Sequence, residues 1–142
     1  MKQIILTSLT TISIGIILYI FHNIIILPII EFGKIKSEVI EKLLYYINII
    51  SNPINNEISS KYEEETSNEL RKLASKLMSK YYLIKIKFTF IFLRIIPSKK
   101  KIKYCSSLLI GVSNSLYPNN GKENQKDIGE LLKLLRLEKY LP

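Results

Sequence analysis

Tryptophan is absent, and cysteine, histidine and alanine each occur once in 142 residues, as Cys105, His22 and Ala74. One thiol cannot close an intramolecular disulfide. One cysteine and one histidine cannot complete a zinc cluster within a single chain. His22 lies inside an apolar run, so neither Cys105 nor any serine of the remaining chain has a histidine to act as its base. Charge is also missing from the start: Lys2 is the only charged side chain before Glu31.

Beyond that point charge is plentiful and unbalanced. The chain holds 21 Lys+Arg against 12 Asp+Glu, a net charge of +9. Such a surplus suits anionic lipid head groups or nucleic acid. It also has a plain source. With 27 Ile, 10 Asn and one Ala the sequence bears the mark of A+T-rich coding, which supplies lysine without functional demand.

The uncharged run from Ile4 to Ile30 is longer than the roughly 20 helical residues that cross a hydrocarbon core. It also exceeds a usual signal-peptide apolar region, and no A-x-A-like cleavage site follows it. Residues 1–30 are therefore expected to form a transmembrane anchor and residues 31–142 a basic helical domain. Lys34, Lys36 and Lys42 follow the run, whereas only Lys2 and the terminal amine precede it. This places the chain in the inner membrane, single-pass, with the N-terminus outside and the domain in the cytoplasm. Thr7, Thr11, Gly15 and His22 fall within about 80° of one another on a helix. This stripe of small and hydroxyl residues is the candidate surface for packing against a second copy. Pro28 is expected to kink or end the helix.

Four further helices are expected. Ile35, Val39, Leu43, Tyr46 and Ile50 recur at steps of three and four, and Asn52-Pro53 stops that helix. Residues 54–60 read as a polar loop. Ser60 and Glu63 then form a capping box for a helix burying Leu70, Leu73, Leu77 and Tyr81. Ile102, Cys105, Leu109, Val112 and Leu116 define a third stripe, in which Cys105 is a small core residue and Gly111 marks a close helix crossing. After the turn Tyr117–Gly121, Asn124 is expected to cap a last helix with Ile128, Leu131, Leu132 and Leu135 facing inward. Residues 81–96 are the odd stretch, aromatic and alternating from Ile84 to Phe90. An isolated strand would lack a partner. Two readings remain: a helical connection capping the bundle, which is preferred, or a segment resting on the inner leaflet. The fold class is thus all-α, one transmembrane helix followed by a small antiparallel bundle of about four helices.

The blocks Tyr45 to Pro53, Glu69 to Ser75, Pro97 to Lys100 and Leu109 to Leu116, in that order, resemble a group of uncharacterised bacterial single-pass membrane-anchored helical proteins. The resemblance implies a helical domain behind one membrane helix. It carries no assigned chemistry, no cofactor and no functional residue.

The function that follows is a non-enzymatic, membrane-anchored interaction or effector module that self-associates, a small pore-forming or defence-accessory protein being within that class. The carboxylates of Glu63 to Glu65, Glu69, Asp127 and Glu130 sit where helix starts explain them, so no catalytic residue, metal ligand or cofactor site is assigned. The alternative is a membrane-tethered protein binding nucleic acid or anionic lipid through Lys99, Lys100, Lys101 and Lys103. The expected partners are thus the membrane, a second copy, and an anionic lipid or nucleic acid; no protein partner is identified. Asn48, Asn52, Arg71, Ser75, Ser113 and Asn114 are candidates for a buried polar network, since Asn48/Asn52 and Arg71/Ser75 each share a helical face.

Overall fold

The computed structural model describes residues 2–51, 57–116, 121–135 and 137; for residues 57–60 and 121–122 it describes the backbone. The order of elements is α1 (Lys2–Phe21), one π-helical turn (His22–Ile26), α2 (Leu27–Tyr45), α3 (Ile47–Ser51), α4 (Glu57–Leu83), α5 (Lys87–Phe92), α6 (Lys99–Ser115) and α7 (Gly121–Leu134). The fold is all-α: one long apolar N-terminal helix, then packed helices. Residues Lys2–Tyr45 form a single 44-residue helical run, apolar enough in its first part to meet the criteria for a membrane span. A signal sequence meets the same criteria.

Of the two outcomes expected at Pro28, an end or a kink, the helix does not end there but is distorted just before it. A proline has no N–H, and its ring collides with the carbonyl four residues back. The helix widens just before it: the Leu27 N–H donates to the His22 carbonyl, five residues back. A π turn of this kind absorbs the misfit locally, so the helix passes the proline and continues to Tyr45.

The core is built from the four stripes. Val39, Leu43 and Ile50 from α2 and α3, Leu70, Leu73 and Leu77 from α4, Ile102, Leu109 and Leu116 from α6, and Leu131 from α7 are almost wholly buried. Phe32 meets Tyr81 edge-on, with ring centroids 5.8 Å apart. The helix α4 lies between α2 and α6, and α7 packs on α6 and α3. Three cross-helix contacts set the direction. Glu31 pairs with Lys80 at 2.8 Å, Glu38 with Lys76 at 2.5 Å and Lys42 with Glu69 at 3.9 Å. Numbers rise on α2 as they fall on α4, so the two are antiparallel. These half-exposed pairs add only about 0–1 kcal/mol each. The register is held by the buried stripes, which lie on the same faces as these pairs.

Three local expectations are corrected. Helix α4 begins at Glu57, so Ser60 lies inside it and not at its N-cap. Helix α7 begins at Gly121, which puts Asn124 inside it, buried. Gly111 is exposed, and a Cβ there would meet only Asp127 Oδ2 at 3.9 Å, so no tight crossing exists at this point. In the stretch 81–96, residues 87–92 are helical, in line with the preferred of its two readings, and no strand occurs among the described residues. The turns around Asn52-Pro53 and Tyr117–Asn120 lie outside the described residues.

Candidate membrane-facing surface

The surface is built from two regions, the outside of α1 and the end of the bundle beside residues 23–31. No residue of α1 is buried. Isoleucine, leucine, tyrosine and phenylalanine side chains from Ile4 to Phe21 are each about half or more exposed, Ile17 at 64% and Tyr19 at 71%. Water makes such an array costly, at about 25 cal/mol for each Å² of apolar surface.

The stripe on α1 has a definite chemistry. The Thr7 hydroxyl is 2.9 Å from both the Gln3 and Ile4 carbonyls, and Thr11 donates to the Thr7 carbonyl at 2.9 Å. Ser8, Thr10 and Ser13 also donate to carbonyls of their own helix. Gly15 has no atom within 4 Å of where its Cβ would stand. The hydroxyl protons are thus already engaged, and what the stripe offers a neighbour is close approach. His22 is exposed and opens the π turn; Asn23 Nδ2 donates to the Tyr19 carbonyl at 2.9 Å.

At the bundle end, α4 runs past Lys80 and brings Leu83 and Lys85 against Asn23, Ile24 and Leu27, with an open cleft of about 300 Å³ between the two walls. Beyond it α5 turns Phe90 and Ile91 toward the core and leaves Phe88 and Phe92 exposed at 83% and 78%. The helix closes with a Schellman motif: Ile95 N–H donates to the Phe90 carbonyl at 2.8 Å, and Arg94 N–H to the Ile91 carbonyl at 3.0 Å. Arg94 occupies the left-handed position at φ 58°, usually a glycine's place. A side chain there costs about 1 kcal/mol.

Basic residues surround this end. Lys87 Nζ lies 5.5 Å from the Tyr81 ring centre and 5.6 Å from that of Tyr82, and Lys99 Nζ lies 5.5 Å from the Tyr82 ring. Lys99, Lys100, Lys101 and Lys103 are all exposed at the start of α6, which Ser98 caps by accepting from the Lys101 N–H. Among the described residues none of the four pairs with a carboxylate. Lys72 and Lys76, by contrast, are held by Glu69 and Glu38.

The proposed buried polar network does not assemble. Arg71 donates to Asn114 Oδ1 at 2.8 Å, but on the surface. Ser75 and Asn48 are exposed, and Ser113, though buried, donates to the Ile110 carbonyl of its own helix at 2.8 Å. Asn52 lies outside the described residues. The reason is angular: Leu70, Leu73, Ala74 and Leu77 take the inward face of α4, and Arg71 and Ser75 stand roughly 110° and 150° away from its centre.

The buried polar contacts involve residues the sequence reading missed. Asn124 Nδ2 donates to the Ile50 carbonyl at 3.1 Å, and its Oδ1 accepts from Ser115. One side chain thereby ties α7 to α6 and satisfies a carbonyl near the end of α3. Ser106 donates across the helix interface to the Ala74 carbonyl at 3.2 Å. Glu63, Thr66 and Ser67 are buried on the same face of α4 as Leu70. Extending that stripe backward by three and four residues would have found them. Cys105 is buried, and burial pushes its thiol up to about 12, which keeps it protonated at neutral pH.

Compared with protein-family profiles, with curated proteins and with solved structures, the chain matches none of them.

Proposed function

We propose that the chain is a non-enzymatic, membrane-anchored interaction module, with α1 in the bilayer, the bundle held at the cytoplasmic face and self-association through the Gly15 side of α1. The observation that carries the reading is the two-part character of one uninterrupted helix. Its first 20 residues bury nothing. Its continuation supplies Phe32, Ile35, Val39 and Leu43 to the core. Hydrocarbon is the solvent in which the first part is stable, because a helix satisfies its own backbone there. A cleaved signal sequence fits less well. The uncharged run is longer than the usual apolar region of a signal peptide, and no A-x-A-like site follows it.

Self-association is supported by the small-residue stripe Thr7, Thr11 and Gly15, since close packing drives helices together in lipid. The orientation is supported by the lysines that follow the anchor. The test is the size of the full chain in mild detergent. A homo-oligomer that shifts toward monomer with Gly15→Ile, but not with Thr10→Ile, is expected. A monomeric parent removes self-association from the proposal. A reporter active only in the cytoplasm, fused after Pro142, is expected to work; activity of a periplasmic reporter at that position reverses the orientation.

A further inference from the structure

We propose that residues 84–96 form a second membrane contact, setting Phe88, Phe92 and Leu93 into the acyl region of the leaflet where α1 leaves the bilayer, with Lys85, Lys87 and Lys99 at the lipid phosphates. The proposal rests on the anchor reading above.

Three observations carry it. The first is depth. The antiparallel pairing of Glu31 with Lys80 carries α4 toward α1, so Leu83 and Lys85 stand level with Ile24 and Leu27. The 29 residues from Lys2 to Ile30 rise about 43 Å, more than the hydrocarbon core of about 30 Å. Counted from Ile4, where the apolar run starts, about 20 helical residues span that core and end at Ile24, so Ile24 and Leu27 stand at about its inner boundary. The second is composition. Phe88 and Phe92 are four residues apart on one face and are the most exposed large apolar side chains outside α1 among the described residues. Ile86, Leu93 and Ile95 extend the patch at 43%, 57% and 51% exposure. Apolar patches of this kind mark sites of association. The third is charge. Lys85 stands beside Ile24 and Leu27, and Lys87 and Lys99 meet at the Tyr82 ring, so basic groups flank the patch, an arrangement matched to anionic head groups above an acyl layer. Two copies meeting patch to patch would bring these like charges together, so lipid is the occupant the charges favour.

The chain contains no tryptophan, so one substitution provides a unique fluorophore. The full chain is reconstituted in phosphatidylglycerol-containing vesicles, with and without brominated acyl chains, as Phe92→Trp, as Tyr19→Trp within α1, and as Tyr62→Trp on the far half of α4. The expected result is blue-shifted emission, quenched by bromine, for Phe92→Trp and Tyr19→Trp, and water-like, unquenched emission for Tyr62→Trp. Quenching of Tyr19→Trp with water-like emission from Phe92→Trp overturns the second contact and leaves the anchor standing. Blue-shifted but unquenched emission from Phe92→Trp puts protein on the patch and also overturns it. Unquenched emission from all three removes the anchor reading itself.

Discussion

Helices α1 and α2 are one continuous rod that obeys two sets of rules. Both are rich in isoleucine and leucine. In α1 these residues cover every side and none is buried; in α2 they fall on one stripe, and Phe32, Ile35, Val39 and Leu43 are buried there. Charged residues fill the remaining sides of α2 and are absent from α1 beyond Lys2. The change happens within a few residues, at the π turn and Pro28. The lesson is that helical periodicity reports what surrounds a helix. A stripe of apolar residues means water on one side and protein on the other; an apolar coat on every side means an apolar surrounding throughout, which for α1 we propose to be lipid, with a second copy on the Gly15 side.

A charge placed in each half separates the two most strongly. Val39→Asp buries an unpaired carboxylate against α4 and is expected to cost more than about 4 kcal/mol, enough to abolish the thermal transition of the bundle. Ile17→Asp is expected to leave that transition in place. Its penalty of about 2.5–3.5 kcal/mol falls on membrane insertion, read as loss from the membrane fraction. If Ile17→Asp destabilises the bundle as much as Val39→Asp does, the two halves do not differ in the way argued.

A smaller effect is expected within the bundle. Asn124→Leu removes the donor that satisfies the Ile50 carbonyl, which costs about 1–3 kcal/mol. For a domain of this size each kcal/mol lowers Tm by roughly 4–8 °C. An unchanged Tm would mean that water replaces the amide. Tyr81→Phe acts in the opposite sense. The ring is buried and its hydroxyl has no hydrogen-bond partner among the described residues. Burial also raises its pKa, because the phenolate would be still harder to solvate there. Removing the hydroxyl is expected to stabilise the bundle by up to about 1 kcal/mol, seen as a higher Tm. A lower Tm would reveal a partner for the hydroxyl.

The smallest effect is at the glycines. Gly111→Ala gains helix propensity without a clash and is expected to add roughly 0.5–1 kcal/mol. Gly15→Ala is expected to leave the bundle's Tm unchanged, since α1 contributes nothing to its core. A fall in Tm for Gly111→Ala would restore the close crossing that its spacing alone implied.

The parts of the fold that repeat at three and four residues were legible in the sequence. All four stripes, from Ile35 to Leu135, are buried as expected, because a helix that must hide one face has no other way to write it. Local terminators were less legible. Pro28 carries a strong stop signal, yet a five-residue π turn lets the helix pass. Ser60 and Asn124 have the side chains of caps, and neither sits at a cap; what places Asn124 is its distance to Ile50, across 74 residues of sequence. The same limit explains the polar network. Arg71 and Ser75 share a face, but only packing decides which face turns inward. Phe88 and Phe92 could be named from the sequence as candidates for the leaflet; their place beside Ile24 and Leu27 depends on the antiparallel return of α4.

The most direct test of the account is the intact mass of the chain recovered from carbonate-washed membranes. The account predicts that it stays in the membrane pellet with Lys2–Phe21 still attached. A mature chain beginning near His22, or release of the full chain into the supernatant, would contradict it.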